Sequence, residues 1–169
     1  MEIKTKKKSL TAPSPISREF RNALIGEHGD WHCRRMMLIG SYYSAPLFAE
    51  MQKRYDLLRD EYGILGNLYD YGPMTAQTIC ALTGRPKNSV SRAVARLIEA
   101  GRISGHVNPD DRRESVLRLE EAGRRLYEEV LPMWREREDE LLAGLNKEEL
   151  AKLDDLLVKL LRHYHEHYN

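Results

Sequence analysis

TAQTICALTGRPKNSVSRAVARLIEAGRISGHVNPDDRRESVLRL, residues 75–119, is the stretch that decides the fold. Thr75 is placed to cap a helix that carries Ile79 and Leu82. Thr83-Gly84-Arg85-Pro86 has the composition of a tight turn. A second helix follows to about Ala100, with Val90, Ala93, Val94, Leu97 and Ile98 at i, i+3, i+4, i+7 and i+8, the spacing of one buried stripe. Gly101 suits a left-handed cap that ends it. Ile103 to Val107 reads as a short strand, Asn108-Pro109-Asp110-Asp111 as a turn, and Val116, Leu117 and Leu119 as the returning strand. Two short helices around a glycine turn, followed by a hairpin with a charged tip, give a winged helix-turn-helix.

The face of the second helix opposite Val90, Val94 and Leu97 holds Asn88, Ser91, Arg92 and Arg96, with Lys87 and Ser89 near its start. These side-chain types read base edges and grip phosphates in a major groove. A helix N-terminus adds backbone amides for a phosphate. Thr75, at the start of the preceding helix, joins the candidate DNA contacts. So do Asp111, Arg112 and Arg113 at the hairpin tip, where an arginine has little structural work and can enter a minor groove. Asp110 or Asp111 can pair with one of the arginines and hold the loop in shape.

Charge supports this assignment locally rather than globally. The chain of 169 residues has a formal net charge of only +1. Residues 75–119 carry eight basic against four acidic side chains, a net of +4, and residues 120–169 carry eight against thirteen, a net of −5. A basic segment of this kind is the electrostatic footprint expected of a phosphate-binding surface.

Outward from the core stretch, residues 1–15 are polar, include Lys6-Lys7-Lys8 and two prolines, and read as a mobile tail. Residues 16–58 read as N-terminal dimerisation helices. In the last of these, Pro46 occupies the first turn behind Ser44, and Leu47, Met51, Tyr55 and Leu58 form the buried face. Asp60 to Tyr69 is a helix that opens the DNA-binding domain, residues 59–119. Residues 120–169 supply a long helix to Leu145, kinked or broken at Pro132, and a last helix capped by Asn146 and Glu149. The last helix bears Leu150, Leu153, Leu157, Leu160 and Tyr164 on one stripe, a face that needs a partner. The expected fold is mainly α with a small β-wing, a winged helix-turn-helix between N- and C-terminal dimerisation helices.

The run Arg96-Leu97-Ile98-Glu99-Ala100-Gly101, then Asn108-Pro109-Asp110-Asp111-Arg112-Arg113, then Leu117, Leu119, Glu121 and Gly123, resembles the MarR-family signature. The likeness covers roughly residues 57–123. It departs from the usual pattern at Arg85-Pro86-Lys87-Asn88, where serine or threonine often caps the recognition helix. The resemblance implies a transcriptional regulator, usually a repressor. Two copies interlock through their terminal helices and bind double-stranded DNA at a pseudo-palindromic operator. The family's wing aspartate and arginine map onto Asp111 and Arg113, or onto Asp110 and Arg112. The resemblance also implies a pocket between dimer helices and winged lobe for a small aromatic or anionic effector. Trp31, His32, Arg34, Tyr42, Tyr43, Tyr62 and Tyr69, with Tyr71, fall in the segments that would line it; as amphipathic aromatics the tyrosines equally suit half-buried core positions.

The remaining candidates are weaker. Some relatives sense oxidants through an N-terminal cysteine near tyrosines, and Cys33, with His32, Arg34 and Arg35 beside it, gives an alternative redox-responsive reading. Cys80 faces the helix-turn-helix core. His163 and His167 share a helical face, as do His28 and His32, but no cysteine or carboxylate set completes a tetrahedral site, so no metal is expected. No cofactor is expected either. The chain contains no phosphate loop and no nucleophile motif, which argues against an enzyme. With no signal peptide and no apolar run of membrane length, a cytoplasmic location is expected.

Overall fold

The computed structural model describes residues 32–107 and 115–168. Among these described residues, six helices and three short strands follow in the order α1 (His32–Tyr55), α2 (Arg59–Tyr71), β1 (Met74–Thr75), α3 (Ala76–Thr83), α4 (Lys87–Glu99), β2 (Ile103–Val107), β3 (Ser115–Leu119), α5 (Glu121–Leu142) and α6 (Lys147–Tyr168). Leu47–Asn169 forms a compact unit of its own, and of the unit before it residues 32–46 are described.

The core gathers one face from α1 to α5 and from the sheet. Met51 of α1, Ile64, Leu65 and Leu68 of α2, Ile79 of α3, Val90, Ala93 and Leu97 of α4, Ile103 and Leu117 of the sheet, and Tyr127 and Val130 of α5 are all buried together. Non-directional apolar burial of this kind supplies most of the cohesion. The aromatic side of the core is a stack: Tyr62 lies 4.7 Å from Trp134 and 5.4 Å from Tyr127 between ring centroids, and Phe48 meets Trp134 edge-on at 5.2 Å. Gly66 makes room for this stack, because a Cβ there would sit 3.2 Å from the Tyr127 ring.

Local chemistry explains most boundaries. The Thr75 hydroxyl accepts from Thr78 N at 3.1 Å and caps α3. Gly84 and Gly101, both at φ +64°, end α3 and α4 in the left-handed region that glycine enters without strain. Asn146 Oδ1 accepts from the amides of Glu148 and Glu149, and Glu149 Oε2 accepts from Asn146 N, a reciprocal capping box.

Several expectations are corrected. Pro46 does not open a helix: α1 begins at least at His32 and runs through it. The helix is 24 residues long, so the one hydrogen bond that proline removes is outweighed by those on either side. It stops at Tyr55 because Asp56 turns left-handed at φ +46°, donating its amide to Gln52 O, and this turn buries Leu57 rather than Leu58. Ile98, expected in the buried stripe, is 45% exposed. Pro132 lies inside a continuous α5, which ends at Leu142.

The sheet contains a strand that pattern reading missed. β1 pairs antiparallel with β3, Met74 opposite Leu117 and Thr75 opposite Val116, so the strand order is β1-β3-β2. The β2–β3 ladder runs from Ile103 opposite Leu119 to Val107 opposite Ser115. The base of this hairpin is locked to α5 at Gly123, where a Cβ would collide with the Arg102 carbonyl oxygen; only glycine permits so close an approach.

Candidate nucleic-acid interface

α4 is held by its apolar ridge. Val90 and Leu97 are fully buried and Ala93 nearly so, which fixes the opposite side of the helix toward solvent. On that side Lys87, Asn88, Ser91 and Arg92 are exposed and Ser89 is half-buried. Pro86 precedes the helix and offers no side-chain acceptor to its first turn; its carbonyl accepts from Ser89 and Val90. The departure from a serine or threonine cap therefore leaves the opening amides without a side-chain cap from that position, which suits an anion at that end.

Two of the expected contact residues are engaged elsewhere. The Thr75 hydroxyl is the cap acceptor of α3 and lies 3.1 Å from Thr78 Oγ1. Arg96 remains 47% exposed but is paired toward α2: its Nε bonds Glu61 Oε1, and its Nη2 lies 3.2 Å from Asp56 Oδ2. These carboxylates, Glu61 first, raise the guanidinium pKa above its ordinary value. The spacing that put Arg96 with Arg92 was right about the helix surface but blind to the acidic residues of α2. At the other end of α4, Arg85 pairs with Asp60. Burial, and then the neighbouring Arg59, lower the Arg85 pKa. Asp60, Glu61 and Arg85 were not singled out from sequence, because an ion pair across 25 or 35 residues leaves no local signal.

β2 and β3 are the described parts of the wing. Asp111, Arg112 and Arg113, with Asp110, lie outside the described residues. The wing base is anchored by Arg102, whose Nη2 donates to Tyr55 O at 3.2 Å.

The expected ligand-lining set divides. Trp31 lies outside the described residues. His32, Arg34 and Tyr42 are exposed on α1 and Tyr43 is half-buried there. Tyr62 and Tyr69 are brought together on Tyr127, Tyr69 at 4.8 Å, with the Tyr69 hydroxyl donating to Glu128 at 3.1 Å. Burial, then the charge of Asp70, raises the Tyr127 pKa, consistent with a packed neutral ring. Tyr62 and Tyr69 are half-buried and pack against the core, and Tyr71 is 72% exposed. An open groove of about 670 Å³ lies instead beside α4, lined among others by Phe48, Arg59, Asp60, Ser89, Arg92 and Arg96. The Arg59 guanidinium sits 5.1 Å from the Phe48 ring centre.

Cys33 is exposed and Cys80 half-buried. The rings of His163 and His167 are 4.2 Å apart, but among the described residues no group of three or more metal-ligating side chains comes together. Among the described residues no helix is long and apolar enough to cross a membrane.

The sequence profile of the MarR family matches residues 55–114, from the end of α1 to the wing. Residues 55–114 are a MarR-family domain. The HTH-type transcriptional regulator YwaE of Bacillus subtilis is 27% identical over 116 residues, 69% of this chain and 68% of that protein. A probable transcriptional regulator from Pseudomonas aeruginosa, solved as a crystal structure, is 29% identical and superposes with a TM-score of 0.65 over 78% of this chain and 97% of that one. A mutant MarR from E. coli, solved in complex with operator DNA, is 21% identical and superposes with a TM-score of 0.66 over 76% of this chain and 92% of that one. At that identity the last likeness shows the fold alone. The fold is that of the winged-helix MarR regulators.

Proposed function

We propose that this MarR-family chain is a sequence-specific repressor that binds a pseudo-palindromic operator as a homodimer and is released by a small aromatic or anionic effector. The observation that carries the DNA-binding reading is the exposed Lys87-Asn88-Ser91-Arg92 face of α4, set opposite a ridge that is 0–5% exposed. Arg92 and Asn88 contact base edges, Lys87 and the opening amides take phosphates, and Arg112 and Arg113 of the wing reach the neighbouring minor groove. That a MarR of the same fold was solved on operator DNA supports this mode of docking.

The dimer reading rests on α6, where Leu156, Leu157, Leu160 and Leu161 are 41–61% exposed. A stripe of that size on a terminal helix favours a second copy as its cover. For the effector, the groove beside α4 is better suited than the tyrosine set read from sequence. Its lining sets the Arg59 guanidinium over Phe48, with Arg92 nearby, an apolar wall with two cations for an aromatic anion. An effector that occupies Arg92 competes with its base contact and favours an arrangement that no longer fits the operator.

A mobility-shift titration with the DNA adjoining the chain's own gene tests the reading. One retarded complex that survives excess random duplex, and dissolves on adding a small aromatic acid, is the expected result. Equal competition by random duplex contradicts specific binding; a complex indifferent to every aromatic acid that stabilises the protein contradicts the effector assignment.

A further inference from the structure

Asp60 and Glu61 are adjacent carboxylates in the first turn of α2, and each is committed to a different end of α4. Asp60 pairs with Arg85, two residues before the helix; the side chains are 32% and 25% exposed. Glu61, 1% exposed, divides its oxygens: Oε2 accepts from Leu58 N at 3.0 Å, and Oε1 takes Nε of Arg96 in the last turn of α4. Asp56 adds a second carboxylate to Arg96 at 3.2 Å. The helical stretch from Lys87 to Arg96 spans about 14 Å at 1.5 Å per residue, so the two pairs act near opposite ends of α4.

The apolar ridge alone does not define this arrangement. Val90, Ala93 and Leu97 fix how close α4 lies to the core, but apolar contact is non-directional and tolerates a small rotation or tilt. Charge-assisted pairs at both ends are directional, and guanidinium groups keep their charge across the whole physiological range. A buried ion pair is weak evidence for stability, because its desolvation offsets its attraction; fixing one register among several is the better-supported use.

We propose that Asp60 and Glu61 are positioning residues that set the tilt of α4, through Arg85 and Arg96, so that its exposed side chains meet base edges, and that they determine operator discrimination without touching DNA. This inference rests on the DNA-binding reading given above. It assigns Arg85 and Arg96 to holding the helix and leaves Lys87, Asn88, Ser91 and Arg92 to read.

The test compares affinity for an operator duplex, recovered by the wild-type full-length chain from a randomised library, with affinity for a random duplex. Asp60→Asn and Glu61→Gln are near-isosteric, and the amide oxygen that the second introduces would still accept from Leu58 N. In each variant the operator-to-random ratio should fall about tenfold, the factor one good base contact supplies. Affinity for the random duplex and its salt slope should not fall, since no phosphate contact is removed. The double variant Asp60→Asn/Arg85→Gln should do no worse than the poorer single, as expected when both break one pair. If Glu61→Gln fails to fold, the more exposed Asp60–Arg85 pair still decides the matter. A wild-type chain that recovers no preferred duplex overturns the DNA-binding reading itself. A wild-type chain that discriminates, with variants that keep the full ratio or with strictly additive losses at Asp60 and Arg85, overturns the positioning role alone.

Discussion

α4 and α6 carry the same kind of apolar stripe and meet different fates. Val90, Ala93 and Leu97 of α4 are spaced by three and four and are 0%, 5% and 0% exposed. Leu150, Leu153, Leu157, Leu160 and Tyr164 of α6 keep those spacings, yet Leu157, Leu160 and Tyr164 are 41%, 53% and 53% exposed. Periodicity reveals that a face requires cover; topology decides what supplies it. For α4 the cover is α2, α3 and the sheet of the same lobe, whereas α6 presents its face outward. One helix therefore displays its polar side and the other its apolar side, and the first suits DNA while the second suits another copy of the chain.

That contrast can be broken at either helix. The largest effect is expected on α6. Leu157→Glu with Leu160→Glu should give a folded monomer by sedimentation, and operator affinity should drop by about 100-fold or more, since two linked half-sites no longer act together. A dimer that persists would move the interface elsewhere. Next, Leu97→Ala should cost about 2–5 kcal/mol in urea unfolding, because a fully buried leucine is replaced by a cavity; a cost below about 1 kcal/mol would mean that α4 is not anchored as described. Gly123→Ala should cost about 1–3 kcal/mol by the same measurement, as the new methyl forces α5 away from the Arg102 carbonyl.

The exposed side of α4 gives smaller, more specific effects. Arg92→Ala should lose about 1–3 kcal/mol at one base-pair position in each half-site while leaving unfolding unchanged. A uniform loss over all sequences would make Arg92 a backbone contact. Lys87→Ala, and separately Arg113→Ala in the wing, should lower the salt slope of binding by about 0.9 per protomer. An unchanged slope in either would remove that residue from the phosphate contacts.

What was legible in the sequence was local. The Thr75 cap, the left-handed Gly101, the Asn146–Glu149 box and the buried stripe of α4 each depend on residues within about one or two helical turns. The wing strands were legible for a related reason, being neighbours in the chain. What stayed hidden was non-local. β1 has only two residues, and its partner strand lies more than forty positions away. The Glu61–Arg96 pair spans 35 residues, so Arg96 looked like one more basic group on the reading face. The packing of Tyr127 against Tyr62 and Tyr69, and of Trp134 against Tyr62, was equally hidden, since more than fifty residues separate the partners. Pro46 misled for a different reason: a proline rule for helix starts gave way to the length of the helix around it.

The most direct measurement is a fluorescence-anisotropy competition at fixed salt between an operator duplex selected by the wild-type chain and a scrambled duplex of equal length, with stoichiometry read from the same titration. The expected result is two chains per duplex and an operator affinity at least about 1,000-fold above that for the scrambled sequence. Equal affinities for the two duplexes, or no saturable binding to either, would contradict the account.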